Sequence, residues 1–126
     1  MISVVIPIFN EEPLLEELVK RTIKALESFM SDYELIFVDD GSTDSSLEKL
    51  ISFRKENSRI KILSLSKNFG HQIAYTAGLE HTCGDIVAMM DGDLQDPPEL
   101  LVQMYEMIRE KGFEVVSGKK TGRKGK

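Results

Sequence analysis

The chain has 126 residues, 41% hydrophobic and 29% charged, which suits one domain with a buried core and excludes a disordered tail. Its net charge is −5, and the last eight residues, KKTGRKGK, hold five cations and no acid, so the rest is more acidic still and argues against a nucleic-acid grip. No apolar run reaches the roughly 20 residues of a membrane span. MISVVIPIFN lacks a basic region and a cleavage site, so no signal peptide is expected, and the single cysteine, Cys83, excludes an internal disulfide or cysteine-rich zinc site and points to a reducing compartment.

Strand-like and helix-like segments alternate. Ser3 to Phe9 (SVVIPIF) is apolar on both parities, as a strand covered on both faces should be. Asn10-Glu11-Glu12-Pro13 signals a helix start, and Leu15, Leu18, Val19, Ile23, Leu26, Phe29 and Met30 follow helical spacing. Tyr33 to Val38 predicts a second strand, Asp39 to Asp44 a turn. Ser45 and Glu48 have capping-box spacing, and Leu47, Leu50 and Ile51 mark one face of a second helix. Ile60 to Leu65 is a third strand, followed by a Lys67-Asn68-Phe69-Gly70 loop. Ile73, Ala74, Ala77 and Gly78 form a small-residue face that lets a third helix approach the sheet, with Gly84 as its stop. Asp85 to Met90 is a fourth strand. Asp96-Pro97-Pro98-Glu99 starts a fourth helix with Asp96 as cap, carried by Leu100, Leu101, Met104 and Ile108 to Gly112, and Phe113 to Ser117 is a fifth strand.

The order βαβαβαβαβ with short connections predicts an α/β fold: a mostly parallel sheet with helices on both faces. Ligands in such sheets bind beyond the carboxyl ends of the strands, where strand order reverses. Four unusual clusters fall at those ends: Phe9-Asn10-Glu11, Asp39-Asp40-Gly41-Ser42, Lys67-Asn68-Phe69-Gly70 and Asp91-Gly92-Asp93-Leu94-Gln95-Asp96. Asp91 and Asp93 flank a glycine and, with the neutral amide of Gln95, make a hard oxygen site for Mg²⁺ or Mn²⁺; the bland alternative is an Asx-rich turn. Of Asp39 and Asp40, one is expected to bond turn N–H groups and the other to accept from a ligand N–H such as a nucleobase imide. Pro7 and Phe9 are an apolar wall for a flat ring or simply core. Capping is the default role for Asn10 and Glu11. Lys67 is a phosphate contact or one more surface lysine. His71 and His81 have no metal-ligand spacing and read as ordinary, and Cys83 as a small buried residue. The basic tail is a solvated end or a contact for phosphates or an anionic membrane face.

The stretches IPIFNEE, FVDDGSTD, LSKNFGHQIAYTAGL and MMDGDLQDPPEL, in this order and spacing, resemble family 2 glycosyltransferases of the GT-A fold. The likeness is greatest to polyprenyl-phosphate sugar transferases of the bactoprenol glucosyltransferase and dolichol-phosphate mannose synthase type. The resemblance implies a metal-dependent, inverting transfer from a nucleotide sugar, UDP-sugar favoured over GDP-sugar, to a polyprenyl phosphate. It implies that Pro7, Phe9 and Glu11 form the wall and ribose contact of a nucleotide pocket. Asp40 would read the base beside Asp39, which holds the turn, with Lys67, Asp91 and Gly92 also at the nucleotide. Asp91, Asp93 and Gln95 would meet Mg²⁺ or Mn²⁺. Lys119, Lys120 and Arg123, with Lys124, stand where relatives place arginines on phosphates. Relatives are longer, so residues 1–118 are expected to be the nucleotide-sugar-binding part of an incomplete GT-A domain and residues 119–126 the start of the acceptor-side region. No catalytic base is identifiable. The full enzyme is expected at the cytoplasmic face of a membrane, where a lipid-phosphate acceptor lies. Two rivals fit less well. A haloacid-dehalogenase-type phosphoryl transfer would use Asp91 as nucleophile, but such motifs follow the first strand and Gln95 replaces the usual Thr or Val. A receiver domain would carry its acids after strands one and three.

Overall fold

The computed structural model describes residues 1–95, 97–111 and 115–117. Nine elements alternate along the chain: β1 (Ile2–Ile8), α1 (Glu12–Glu27), β2 (Tyr33–Asp39), α2 (Ser46–Glu56), β3 (Ile60–Ser64), α3 (His71–Leu79), β4 (Ile86–Met89), α4 (Leu100–Lys111) and β5 (Val115–Ser117). The strands form one sheet in the order β3-β2-β1-β4-β5, every pair parallel. The chain runs outward from β1 to β2 and β3, then returns to place β4 on the other side of β1. The reversal point therefore lies at the carboxyl ends of β1 and β4.

All seven residues of β1 are buried, which is what apolar character on both parities requires of a central strand. Helices cover both faces, but unequally. Ile2, Val4, Ile6 and Ile8 of β1 share one cluster with Leu15 and Leu18 of α1, Leu50 of α2 and Leu101 and Met104 of α4. The other face has a smaller cluster of Val5, Ile36 and Val38 with Ala74 of α3. Each fully buried Leu or Ile contributes roughly 1.5–3 kcal/mol relative to an exposed one. The larger face thus carries most of the folding drive.

Several local expectations shift. α2 turns Ser46 and Leu50 inward and leaves Ile51 43% exposed, so its buried stripe is narrower than the Leu47-Leu50-Ile51 pattern suggests. Ser45 is the α2 N-cap but makes no side-chain cap bond; the oxygen that reaches the first turn is Asp44 Oδ1, 2.9 Å from the Ser46 N–H. α4 begins at Leu100, later than its proline signals indicate. Residues 97–102 first make tight turns, with Leu100 and Leu101 donating to the carbonyls of Pro97 and Pro98 at 3.0 Å. Glu99 instead reaches α1, accepting two bonds from Arg21 at 3.1 and 2.7 Å. Cys83 is exposed, not buried, because it lies in the loop after α3 with its N–H donated to Glu34 at 2.6 Å. The expected roles of Asp96, Gly112, Phe113, Lys119, Lys120, Arg123 and Lys124 lie outside the described residues.

Candidate functional site

Three of the four loops at the carboxyl ends of the strands are hydrogen-bonded in series, and the fourth packs against β1 and α3. After β1, Asn10 adopts a left-handed φ of 53°, which Asn tolerates better than most residues. That turn aims its side-chain oxygen at the next loop, where it accepts from the N–H groups of Thr43 and Asp44 at 2.8 and 3.2 Å. Its own N–H donates to Ser42 Oγ at 2.9 Å. The first amides of α1 are satisfied across the gap as well: Glu11 N–H by Ser46 Oγ at 3.1 Å and Glu12 N–H by Asp44 Oδ2 at 3.3 Å. Burial pushes the Asp44 carboxyl up, but bonds from the Ser46 hydroxyl and N–H and from Glu12 N–H outweigh it and hold the group below the usual range. Asn10 therefore clamps two loops rather than capping a helix, and the α1 cap comes from the second loop.

The second loop is fixed to the third. Asp40 is buried, and its two oxygens accept from Phe69 N–H at 2.8 Å and Gly70 N–H at 2.9 Å. Gly41 has φ +73°, and a Cβ there would stand 2.4 Å from the carbonyl carbon of Lys67. Only glycine allows these backbones to touch. Asp40 thus holds the turn, the role expected of Asp39. Asp39 itself is buried at the end of β2, and its Oδ1 is a buried side-chain oxygen without a hydrogen-bond partner among the described residues. Lys67 is exposed, with its ammonium 5.4 Å from the Phe69 ring centroid. Pro7 is buried while Phe9 is 36% exposed, so Phe9 is the ring of the pair that the rim presents.

The fourth loop closes the group. Gly92 is packed under the end of β1: a Cβ there would lie 2.9 Å from the Pro7 carbonyl and 2.6 Å from Ile8 Cδ1. This close approach lets Asp91 and Asp93 flank the β1 terminus. Asp91 is buried and accepts from the Tyr75 hydroxyl at 2.8 Å, with His71 Nδ1 3.9 Å away. Asp93 accepts from Gln95 N–H at 3.1 Å, Gln95 being exposed beside it. Glu11 completes the acidic face. Burial raises its pKa above the usual range, the charge of Asp93 adds to this, His71 opposes it, and Asp44 and Asp91 raise it further. Glu11 therefore lies within the electrostatic reach of Asp91 and Asp93, and His71 and Tyr75 stand against Asp91, which the ordinary reading of His71 missed. Their signal was present: positions 71 and 75 fall on one side of a helix.

Among the described residues no three His, Cys, Asp or Glu side chains converge into a metal cage. The carboxylates that could hold a cation are the buried Asp91 and the half-buried Asp93. Such a pair suits Mg²⁺ or Mn²⁺, which take one or two protein carboxylates and complete their shell with substrate phosphates and water.

Comparison with known proteins shows the family and the fold. A family model described as Glycosyl transferase family 2 matches residues 3–126. The chain is 45% identical over 123 residues to the uncharacterized glycosyltransferase YkcC of Bacillus subtilis, covering 98% of this chain and 38% of that protein. Among solved structures, residues 1–349 of S. aureus TarS in complex with UDP-GlcNAc are 28% identical with a TM-score of 0.72, over 88% of this chain and 32% of the other. The mannosyltransferase PcManGT of Pyrobaculum calidifontis, solved with GDP-Man and Mn²⁺, shares the fold at a TM-score of 0.75 and 23% identity, over 87% of this chain and 32% of the other. The chain thus spans about two fifths of the length of the curated relative it matches.

Proposed function

The chain belongs to glycosyl transferase family 2, and from that premise we propose that it is the donor-binding part of a metal-dependent, inverting enzyme that moves a sugar from a nucleotide sugar to a polyprenyl phosphate. Membership sets aside the haloacid-dehalogenase and receiver readings. The observation that carries the reading is the placement of the Asp91-Gly92-Asp93 turn against the carboxyl end of β1, at the reversal point of the sheet, where its charges act on Glu11. Carboxylates crowded there repel an anionic diphosphate unless a divalent cation lies between them. Asp91 and Asp93, with Gln95 beside them, would hold Mg²⁺ or Mn²⁺, which would supply positive charge for a nucleoside diphosphate.

The remaining roles fall to the chain's own side chains. Phe9, with Pro7 beneath it, offers an apolar wall to the base. Asp40 accepts two N–H bonds, yet each carboxylate oxygen has a second lone pair, so it is suited to read a base N–H as well. Glu11 faces the ribose, and Lys67 with Lys119, Lys120 and Arg123 supplies cations for phosphates. The TarS likeness favours a UDP-sugar, with GDP-sugar as the alternative. The run DGDLQDPPEL, the strongest element of the resemblance to polyprenyl-phosphate sugar transferases, favours a polyprenyl-phosphate acceptor and hence work at the cytoplasmic face of a membrane. On this reading residues 1–118 bind the donor and residues 119–126 open the acceptor-side region.

The test is calorimetric titration with UDP, UDP-glucose, GDP and GDP-mannose, each with Mn²⁺ and with chelator. One nucleotide pair is expected to bind tightly with Mn²⁺ and weakly without. Asp93→Ala is expected to lower the Mn²⁺-dependent affinity by about tenfold or more and to leave binding in chelator unchanged, a loss of roughly 1–3 kcal/mol. If Asp93→Ala binds like the wild type in Mn²⁺, the assignment of the acidic pair is wrong.

A further inference from the structure

The two sides of α3 do different work. Ala74 and Gly78 are its buried residues, and they set how low the helix lies on the sheet. A Cβ at Gly78 would stand 2.3 Å from Val5 Cγ1 and 3.1 Å from Val38 Cγ2, closer than packed atoms approach. His71 and Tyr75, one turn apart, occupy another side and meet the loop after β4. The Tyr75 hydroxyl donates to Asp91 Oδ1 at 2.8 Å. His71 Nδ1 lies 3.9 Å from that same oxygen, and the two rings stand edge to face with centroids 6.4 Å apart. Asp91 is 7% exposed and shares its surroundings with Glu11, which feels the charge of both Asp91 and Asp93. Like charges at close quarters favour a carboxylate swinging away from its neighbours. A hydroxyl donating to one oxygen opposes that swing and fixes the carboxylate plane.

We propose that Tyr75 is a positioning residue for the donor site: its hydroxyl sets the orientation of Asp91, so α3 governs the geometry of the first acid of the Asp-Gly-Asp turn. The inference deepens the nucleotide-sugar reading and rests on it. Partners that orient a metal-facing carboxylate matter out of proportion to their size, and losing one costs about tenfold or more in affinity. Tyr75→Phe keeps the ring and removes the hydroxyl that donates to Asp91.

The experiment titrates the full chain, with Mn²⁺ and with chelator, using whichever of UDP and GDP the wild type takes. The wild type is compared with Tyr75→Phe, Asp91→Ala, the double variant, and Tyr75→4-aminophenylalanine, which restores a donor. Tyr75→Phe is expected to weaken Mn²⁺-dependent binding about tenfold and to leave chelator binding and the thermal midpoint unchanged. The aminophenylalanine variant is expected to recover the affinity. In the Asp91→Ala background, Tyr75→Phe is expected to add nothing, because no carboxylate remains to orient. Equal affinities for wild type and Tyr75→Phe overturn the proposal, as do additive losses in the double variant or no recovery with the restored donor. So does an equal loss in chelator or a Tyr75→Phe chain that no longer unfolds cooperatively, since either assigns the hydroxyl to the fold. A wild type that takes neither nucleotide in either condition overturns the nucleotide-sugar reading itself, and the positioning role with it.

Discussion

Asp39 and Asp40 are adjacent, identical in chemistry and both buried, yet their surroundings differ completely. Asp40 accepts from two backbone N–H groups of the third loop, while Asp39 keeps an oxygen without a partner among the described residues. Which of the two holds the turn depends on where a segment some thirty residues later passes, and no local pattern contains that. Glu34 makes the same point at the opposite end of the sheet. It sits in β2 as a buried acid, accepting from Ser3 Oγ and Lys61 Nζ, both at 2.5 Å, and from Cys83 N–H at 2.6 Å. Burial pushes its carboxyl up, but these three donors outweigh burial and hold it below the ordinary 4.5. A carboxyl whose pKa is lower folded than unfolded contributes stability above the ordinary value and loses it as pH falls through the lowered one. The urea midpoint is therefore expected to drop as pH goes below about 4.5, and Glu34→Gln is expected to flatten that drop. At pH 7 the substitution should cost about 1–3 kcal/mol. An acid profile identical in wild type and variant would show that Glu34 contributes nothing.

The elements themselves were largely legible, for physical reasons. β1 reads as buried on both faces because every position must face protein, and α1 shows its face because Leu15, Leu18, Val19 and Leu26 bury one stripe. Legibility fails where a residue's partner lies elsewhere. Ile73 belongs by composition to the small-residue face of α3, yet it is 51% exposed; the fully buried residues of the helix are Ala74 and Gly78, and Tyr75 packs beside them against the same cluster. Ser45 and Glu48 have capping spacing, but Asp44 lies nearer the free amides. Gly78 offers the sharpest test at this scale. Gly78→Ala must push α3 off Val5, so it is expected to destabilise the fold by about 1–3 kcal/mol and to weaken Mn²⁺-dependent nucleotide binding by lifting Tyr75 from Asp91. Urea unfolding and the same titration measure the two effects; a variant as stable as the wild type would mean the sheet gives way there at no cost.

Across the whole molecule, fold class and the clustering of motifs at one rim could be read from the sequence, because alternation of elements forces a parallel sheet and a parallel sheet places all its βα loops at one end. The contacts that lock the rim could not, since Asn10, Asp40, Gly92 and Tyr75 act through partners on other segments of the chain. Three helices pack on one sheet face and α3 on the other, so the face that carries Tyr75 also has the smaller share of buried apolar surface.

Strand order has a kinetic consequence. β1 is synthesised first but sits in the middle, and one of its edges stays open until β4 arrives to pair with it. The bond from Gly84 N–H to Ser3 Oγ spans 81 residues, and contacts of such range form late because loop closure precedes their reward. The Asp91-Gly92-Asp93 turn cannot pack on the end of β1 before that closure. In a refolding experiment, recovery of helical circular dichroism is therefore expected to precede recovery of nucleotide binding. Coincident recovery of the two signals would show instead that the β1–β4 seam closes with the first helices, and that a nascent chain becomes ligand-competent in a single step.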